Sequence, residues 1–156
     1  MAQQSDSLEQ RVAEPLILAE VELTLGVKLT KASLDLPGGS RVEIDGAAAD
    51  GSAFVEVFAH QGRLKGGQVH KVARDALKLI TVARSRPVSP DHLIIAFADD
   101  DAAACVGGES WLSEALGTWG IEVFVAELDA ETRAGLLAAQ ARLVLDNPSH
   151  DLPPRW

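Results

Sequence analysis

Residues 40–84 read SRVEIDGAAADGSAFVEVFAHQGRLKGGQVHKVARDALKLITVAR, and the pattern of this stretch decides the fold. From Arg41 to Ala47 the chain alternates, with Val42 and Ile44 on one face and Glu43 and Asp45 on the other. A second run from Ala53 to His60 puts Val55, Val57 and Ala59 on one face and Phe54, Glu56, Phe58 and His60 on the other. A period of two is that of a strand, and Asp50-Gly51 between two such runs marks a hairpin turn. Gln61-Gly62-Arg63-Leu64-Lys65-Gly66-Gly67 then breaks the pattern. Helical spacing follows and predicts a helix over 68–84, with Val69, Val72, Ala73, Ala76, Leu77 and Ile80 as its buried stripe. Gln68, Lys71, Asp75 and Lys78 recur at spacings of 3, 4 and 3 and so share one polar edge.

Upstream, a helix is expected to start near residues 5–7 and to stop at Gly26, with Leu8, Val12, Leu16, Ala19 and Leu23 as its apolar stripe and Pro15 inside it. Residues 27–39 read as a connector or a short edge strand ending in the turn Pro37-Gly38-Gly39. Downstream, 91–98 is a continuous apolar run, as expected of a strand covered on both faces. Asp99, Asp100 and Asp101 after it are expected to cap a helix, the alternative being an independent metal site at the end of a central strand. A helix over 109–118, a strand over 121–128 and a helix over 130–145 capped by Asp129 complete the chain. The prediction is an α/β three-layer sandwich with a mixed central sheet, in the order α-β-β-α-β-α-β-α. It forms a single domain over 5–146, followed by a proline-containing tail over 147–156.

At 156 residues the chain is long enough for one core. No apolar run is long enough to span a bilayer, so no membrane partner is expected. The N-terminus lacks a basic region followed by an apolar core, and Cys105 is the single cysteine. Together these predict a cytoplasmic protein. The net charge of −9 argues against unspecific binding of nucleic acid by the whole surface. Residues 60–84 nevertheless carry six basic side chains (Arg63, Lys65, Lys71, Arg74, Lys78 and Arg84) against Asp75. A locally basic segment in an acidic chain is the candidate surface for DNA or RNA. Self-association as a homo-oligomer is also an expectation, through apolar surface near Trp119 or Trp156.

Asp45 and Glu56 stand on adjacent strands of one hairpin, 11 residues apart. Two carboxylates brought close together repel, and a divalent cation relieves the repulsion. A nearby lysine would stabilise charge developing on a phosphate. At VEIDG and FVEVF the chain resembles the PD-(D/E)XK nuclease superfamily, which has the restriction-endonuclease-like fold. The resemblance spans the elements from the first helix to the strand at 121–128. It implies hydrolysis of phosphodiester bonds in nucleic acid with Mg²⁺ or Mn²⁺. Asp45 and Glu56 would be the metal ligands, with Glu20 as an additional acid from the first helix. Phe58 occupies the position of the pattern's lysine, so that function passes to Lys65 or Lys71, with Gln68 beside Lys71 to orient a phosphate or water. The superfamily also includes members without activity, so the alternative is a nuclease-fold module for protein interaction or assembly.

Overall fold

A computed structural model describes residues 8–146; the expected helix start near 5–7, the tail over 147–156 and Trp156 lie outside them. The chain runs α1 (Leu8–Leu25), β1 (Leu29–Asp35), β2 (Arg41–Ala48), β3 (Ala53–Phe58), α2 (Gly66–Arg84), β4 (His92–Phe97), α3 (Asp100–Ala103), a 3-10 turn (Ala104–Val106), α4 (Trp111–Thr118), β5 (Ile121–Val125) and α5 (Ala130–Asp146). The α/β expectation therefore holds, with one more strand, β1, and one more short helix, α3, than the predicted order. Residues 29–35, read as a connector or edge strand, are the edge strand β1, paired to β2 through the turn at Gly39.

The five strands form one open mixed sheet in the order β1-β2-β3-β4-β5. β1–β2 and β2–β3 are antiparallel, while β3–β4 and β4–β5 are parallel. The β2–β3 hairpin closes as its Asp-Gly turn predicts: Gly51 has φ +76°, and the Ser52 amide donates to the Asp50 carboxylate at 3.0 Å. The β3–β4 pair is parallel because α2 carries the chain back across the sheet, so α2 runs antiparallel to β3.

Alternation along β3 and β4 divides the core into two layers. Phe54, Phe58, Leu93, Ile95 and Phe97 pack with Val72, Leu79 and Val82 of α2 and Leu112 and Leu116 of α4. Val55, Val57, Ile94 and Ala96 pack on the other face with Ala13, Ile17 and Val21 of α1 and Leu136 of α5. Helices thus cover both faces of the sheet. Among the described residues, no helix is long and apolar enough to cross a membrane.

Two expected helix stripes are corrected. In α1 the buried residues are Ala13, Ile17 and Val21, whereas Val12, Leu16, Ala19 and Leu23 are exposed, Leu23 to 85%. Both sets recur at helical spacing, so periodicity could not choose between them; packing against Val55 and Ala96 did. In α2, Leu77 is exposed, and the buried face is Val72, Asp75, Ala76, Leu79 and Val82. That places a carboxylate on the core side of the helix. Asp99 caps α3 as expected, accepting from the Ala102 amide at 2.8 Å, and its second oxygen accepts from the Gly62 amide at 3.0 Å. Asp129 caps α5 through the Thr132 amide at 2.7 Å. Trp111 and Trp119 are both exposed, the latter beneath the Arg84 guanidinium at 5.6 Å.

Candidate active site at the β2–β3 opening

The site begins with a bulge in β2. Along β1 the ladder steps two residues, from Thr30 to Ala32, while along β2 it steps three, from Ala47 to Ile44. Ile44 and Ala47 consequently face the same core layer despite their odd spacing. The extra residue lies at Asp45-Gly46, and a bulge of this kind re-aims a side chain. Gly46 also brings the strand close to α1. A Cβ at this position would come within 2.6 Å of Leu18 Cδ2, so a side chain there would make the Leu18 tip of α1 shift.

Beyond Gly46↔Val55 the β2–β3 ladder is taken over by a side chain. The Val57 amide donates to Asp45 Oδ2 at 2.9 Å. Asp45 thereby satisfies a β3 amide where the two strands part, and the parting opens a cleft of about 180 Å³. Asp45, Glu56, Asp75, Lys71, Arg74 and Lys78 line it, together with Glu14 of α1 and Lys31 and Glu43 of the two outer strands. A groove of about 450 Å³ between α1 and β1 shares Glu14, Lys31 and Asp45 with this cleft and adds Arg11 and Lys28.

Glu56 occupies a position that the strand pattern assigns to the core, between Phe54 and Phe58, and is 3% exposed. Lys78 Nζ lies 3.0 Å from Glu56 Oε1. This is an ion pair by distance but is not aligned as a hydrogen bond, and Oε1 has no other donor. Asp75 is 2% exposed, with Arg74 and Lys78 at 3.7 and 3.8 Å from Oδ1, which likewise lacks an aligned donor. Burial, and then the negative charge of Asp45, push the Glu56 carboxyl up to about 8 against the partial relief given by Lys78. Burial also raises Asp75, opposed by the neighbouring Lys78, Lys71 and Arg74. The cleft thus gathers the carboxyl groups of Asp45, Glu56 and Asp75 beside the cationic side chains of Lys71, Arg74 and Lys78. Among the described residues, no three His, Cys, Asp or Glu side chains are arranged to enclose a metal ion unaided. Mg²⁺ requires only one or two carboxylates beside water and substrate oxygens.

Asp45, Glu56 and Lys71 are therefore brought together. Lys71 stands over the Phe58 ring, 5.4 Å from its centroid, so the residue in place of the expected lysine serves as a platform for one from α2. Lys65, Gln68 and Glu20 lie elsewhere. Gln68 Oε1 accepts from the Lys65 amide at 2.9 Å, closing the first turn of α2, and Gln68 Nε2 meets His60 Nδ1 at 3.2 Å. Glu20 Oε2 accepts from the Glu127 amide at 3.3 Å, on the α5 side. The acid that α1 brings to the cleft is Glu14.

Lys78 and Asp75 were missed as site residues, although a signal for them was present. α2 runs back along β3, rising about 1.5 Å per residue against about 3.3 Å for the strand. From His60 to Glu56 is then about 13 Å, and from Gln68 to Lys78 about 15 Å. With Gln68 beside His60, residues 75–78 fall beside Glu56. Comparison with protein-family models, with curated proteins and with solved structures finds no match for this chain.

Proposed function

We propose that this protein is a nucleic-acid phosphodiesterase of the PD-(D/E)XK type, using Mg²⁺ or Mn²⁺ held by Asp45 and Glu56. The observation that carries the reading is the meeting of these two carboxylates in one cleft, at the point where β2 and β3 part, against basic residues of the crossover helix. The sheet order, with β2 alone running opposite to the other four strands, and the succession α1-β1-β2-β3-α2-β4 support the restriction-endonuclease-like fold. The donor set suits a hard cation, because the carboxyl oxygens of Asp45, Glu56 and Asp75 line one cleft and Asp75 Oδ1 is a buried oxygen without an aligned donor. The cation supplies positive charge to the scissile phosphate. Asp45 and Glu56 would hold it, and the Val57 amide fixes the Asp45 carboxylate. Lys71, exposed and set on Phe58, directs its ammonium to the phosphoryl oxygens and stabilises the charge that builds as water attacks phosphorus and the leaving oxygen departs. Arg11, Lys28 and Lys31 in the adjoining groove, with Arg74 opposite, offer phosphate contacts along a strand of DNA or RNA. The proposed setting is the cytoplasm, in keeping with a lone free cysteine.

The test is cleavage of mixed DNA and RNA in Mg²⁺ or Mn²⁺ by the protein and by Asp45→Ala. A loss of about 10²-fold or more is expected; equal residual cleavage by both proteins removes the catalytic reading. The second reading, a module without activity, is favoured by Phe58 in the lysine position and by Lys78 Nζ standing 3.0 Å from Glu56 Oε1, where a metal would have to bind. Calorimetry separates the two: the enzyme binds Mn²⁺ in a manner abolished by Glu56→Ala, and the module does not bind it.

A further inference from the structure

Lys78 is the most constrained cation of the cleft. Its ammonium lies 3.0 Å from Glu56 Oε1 and 3.8 Å from Asp75 Oδ1, bracketed by two carboxylates that are almost wholly buried. We infer that Lys78 is a stand-in for the divalent cation, occupying Glu56 until the metal arrives, and that Asp75 is the carboxylate that then receives it. This rests on the metal-binding reading above.

The inference follows from charge and reach. A divalent ion and an ammonium repel each other when both are held against one carboxylate, so uptake at Asp45 and Glu56 must move the ammonium. Its destination has to be close and negative, because a lysine side chain only 26% exposed and flanked by two buried carboxyl groups has its nearest alternative partner within the cleft. Asp75 meets both conditions. It sits three residues earlier on the same helix, on the same edge, and its Oδ1 has long ion-pair contacts and no aligned donor. A rotation of the Lys78 terminal bonds would exchange the 3.0 Å contact to Glu56 for a close one to Asp75 without moving the backbone. The two lysines of the cleft then have separate tasks. Lys71, exposed above Phe58, meets the phosphate, and Lys78 is a positioning residue that keeps two buried carboxylates compatible before and after metal uptake.

The test is a double-mutant cycle read by Mn²⁺ titration of the full chain in chelator-treated buffer. Lys78→Met removes the competitor and is expected to tighten Mn²⁺ binding about tenfold, the equivalent of one weak ion pair. Asp75→Asn removes the destination and is expected to weaken binding about fivefold or more. The double variant should match Lys78→Met, because Asp75 has nothing left to receive. Mn²⁺ should also raise the Tm of Lys78→Met more than that of the unaltered protein; if the variant folds only when Mn²⁺ is present, the metal has replaced the lysine and the inference stands. Unchanged or weaker binding by Lys78→Met overturns it. So does an undiminished effect of Asp75→Asn in the Lys78→Met background, which would make Asp75 a direct ligand. If neither the unaltered protein nor Lys78→Met binds Mn²⁺, the metal-binding reading itself fails. Binding by the unaltered protein without tightening in the variant sinks this inference alone.

Discussion

Replacing Glu56 by glutamine should change how stability depends on pH. Burial raises the Glu56 carboxyl from 4.5 to about 8, so between these values the folded chain keeps a proton that the unfolded chain releases. The stabilising contribution is complete below pH 4.5 and is lost as the pH rises through about 8. At roughly 1.4 kcal/mol per pH unit, the whole shift is worth at most about 5 kcal/mol. Local relaxation and the nearby ammonium of Lys78 reduce this, so a loss of about 2–4 kcal/mol between pH 5 and 9 is expected. Glutamine stays neutral, and Glu56→Gln should lose that slope. The variant should be close in stability to the unaltered protein at pH 5 and more stable than it at pH 9. Asp75, raised by burial, adds a slope of the same sign, and the difference between the two proteins reports Glu56 together with its coupling to Asp75. Asp35, lowered by Arg41, and Asp129, lowered by the Thr132 amide and hydroxyl, act in the opposite sense. Their contribution is present above the ordinary carboxylate range and is lost in acid, outside this window. Urea denaturation in chelator-treated buffers from pH 5 to 9, followed by circular dichroism, measures both curves. Parallel curves across the range would mean that Lys78 keeps Glu56 ionised, and the account of the buried carboxyl would be wrong.

Lys71→Ala should reduce cleavage about 10²-fold with Tm unchanged, while Lys65→Ala and Gln68→Ala should retain cleavage, since neither residue lines the cleft and Gln68 is held by His60 and the Lys65 amide at the start of α2. Asp99→Ala loses the cap of α3 and the bond to the Gly62 amide, and should cost about 1–2 kcal/mol in urea denaturation. In α1, Ile17→Ala should cost about 2–4 kcal/mol, and Leu16→Ala, on the exposed stripe, within about 0.5. Equal costs at these two positions would show that the helix is turned differently about its axis.

The sequence by itself determined the elements and the pair of acids. Period-two alternation, an Asp-Gly turn and a helical pattern are properties of neighbouring residues. They place Asp45 and Glu56 on facing strands, and Asp99 and Asp129 at helix starts, without knowledge of the rest of the chain. β1 was half legible, because an edge strand with one face in solvent lacks the dense apolar pattern of β4. Other features were decided by the tertiary structure. α1 carries two apolar stripes of the same period, and only the shape of the sheet selects Ala13, Ile17 and Val21. The bulge at Asp45-Gly46 is a difference in count between two paired strands, which neither strand shows alone. The choice of cation at Glu56 depends on a helix and a strand running in opposite directions with unequal rise. That mismatch carries Lys65 and Gln68 to His60, sets Lys71 over Phe58 and delivers Lys78 and Asp75 to the buried carboxylate. Local periodicity says which face a residue occupies; the packing distance between elements says what that face meets.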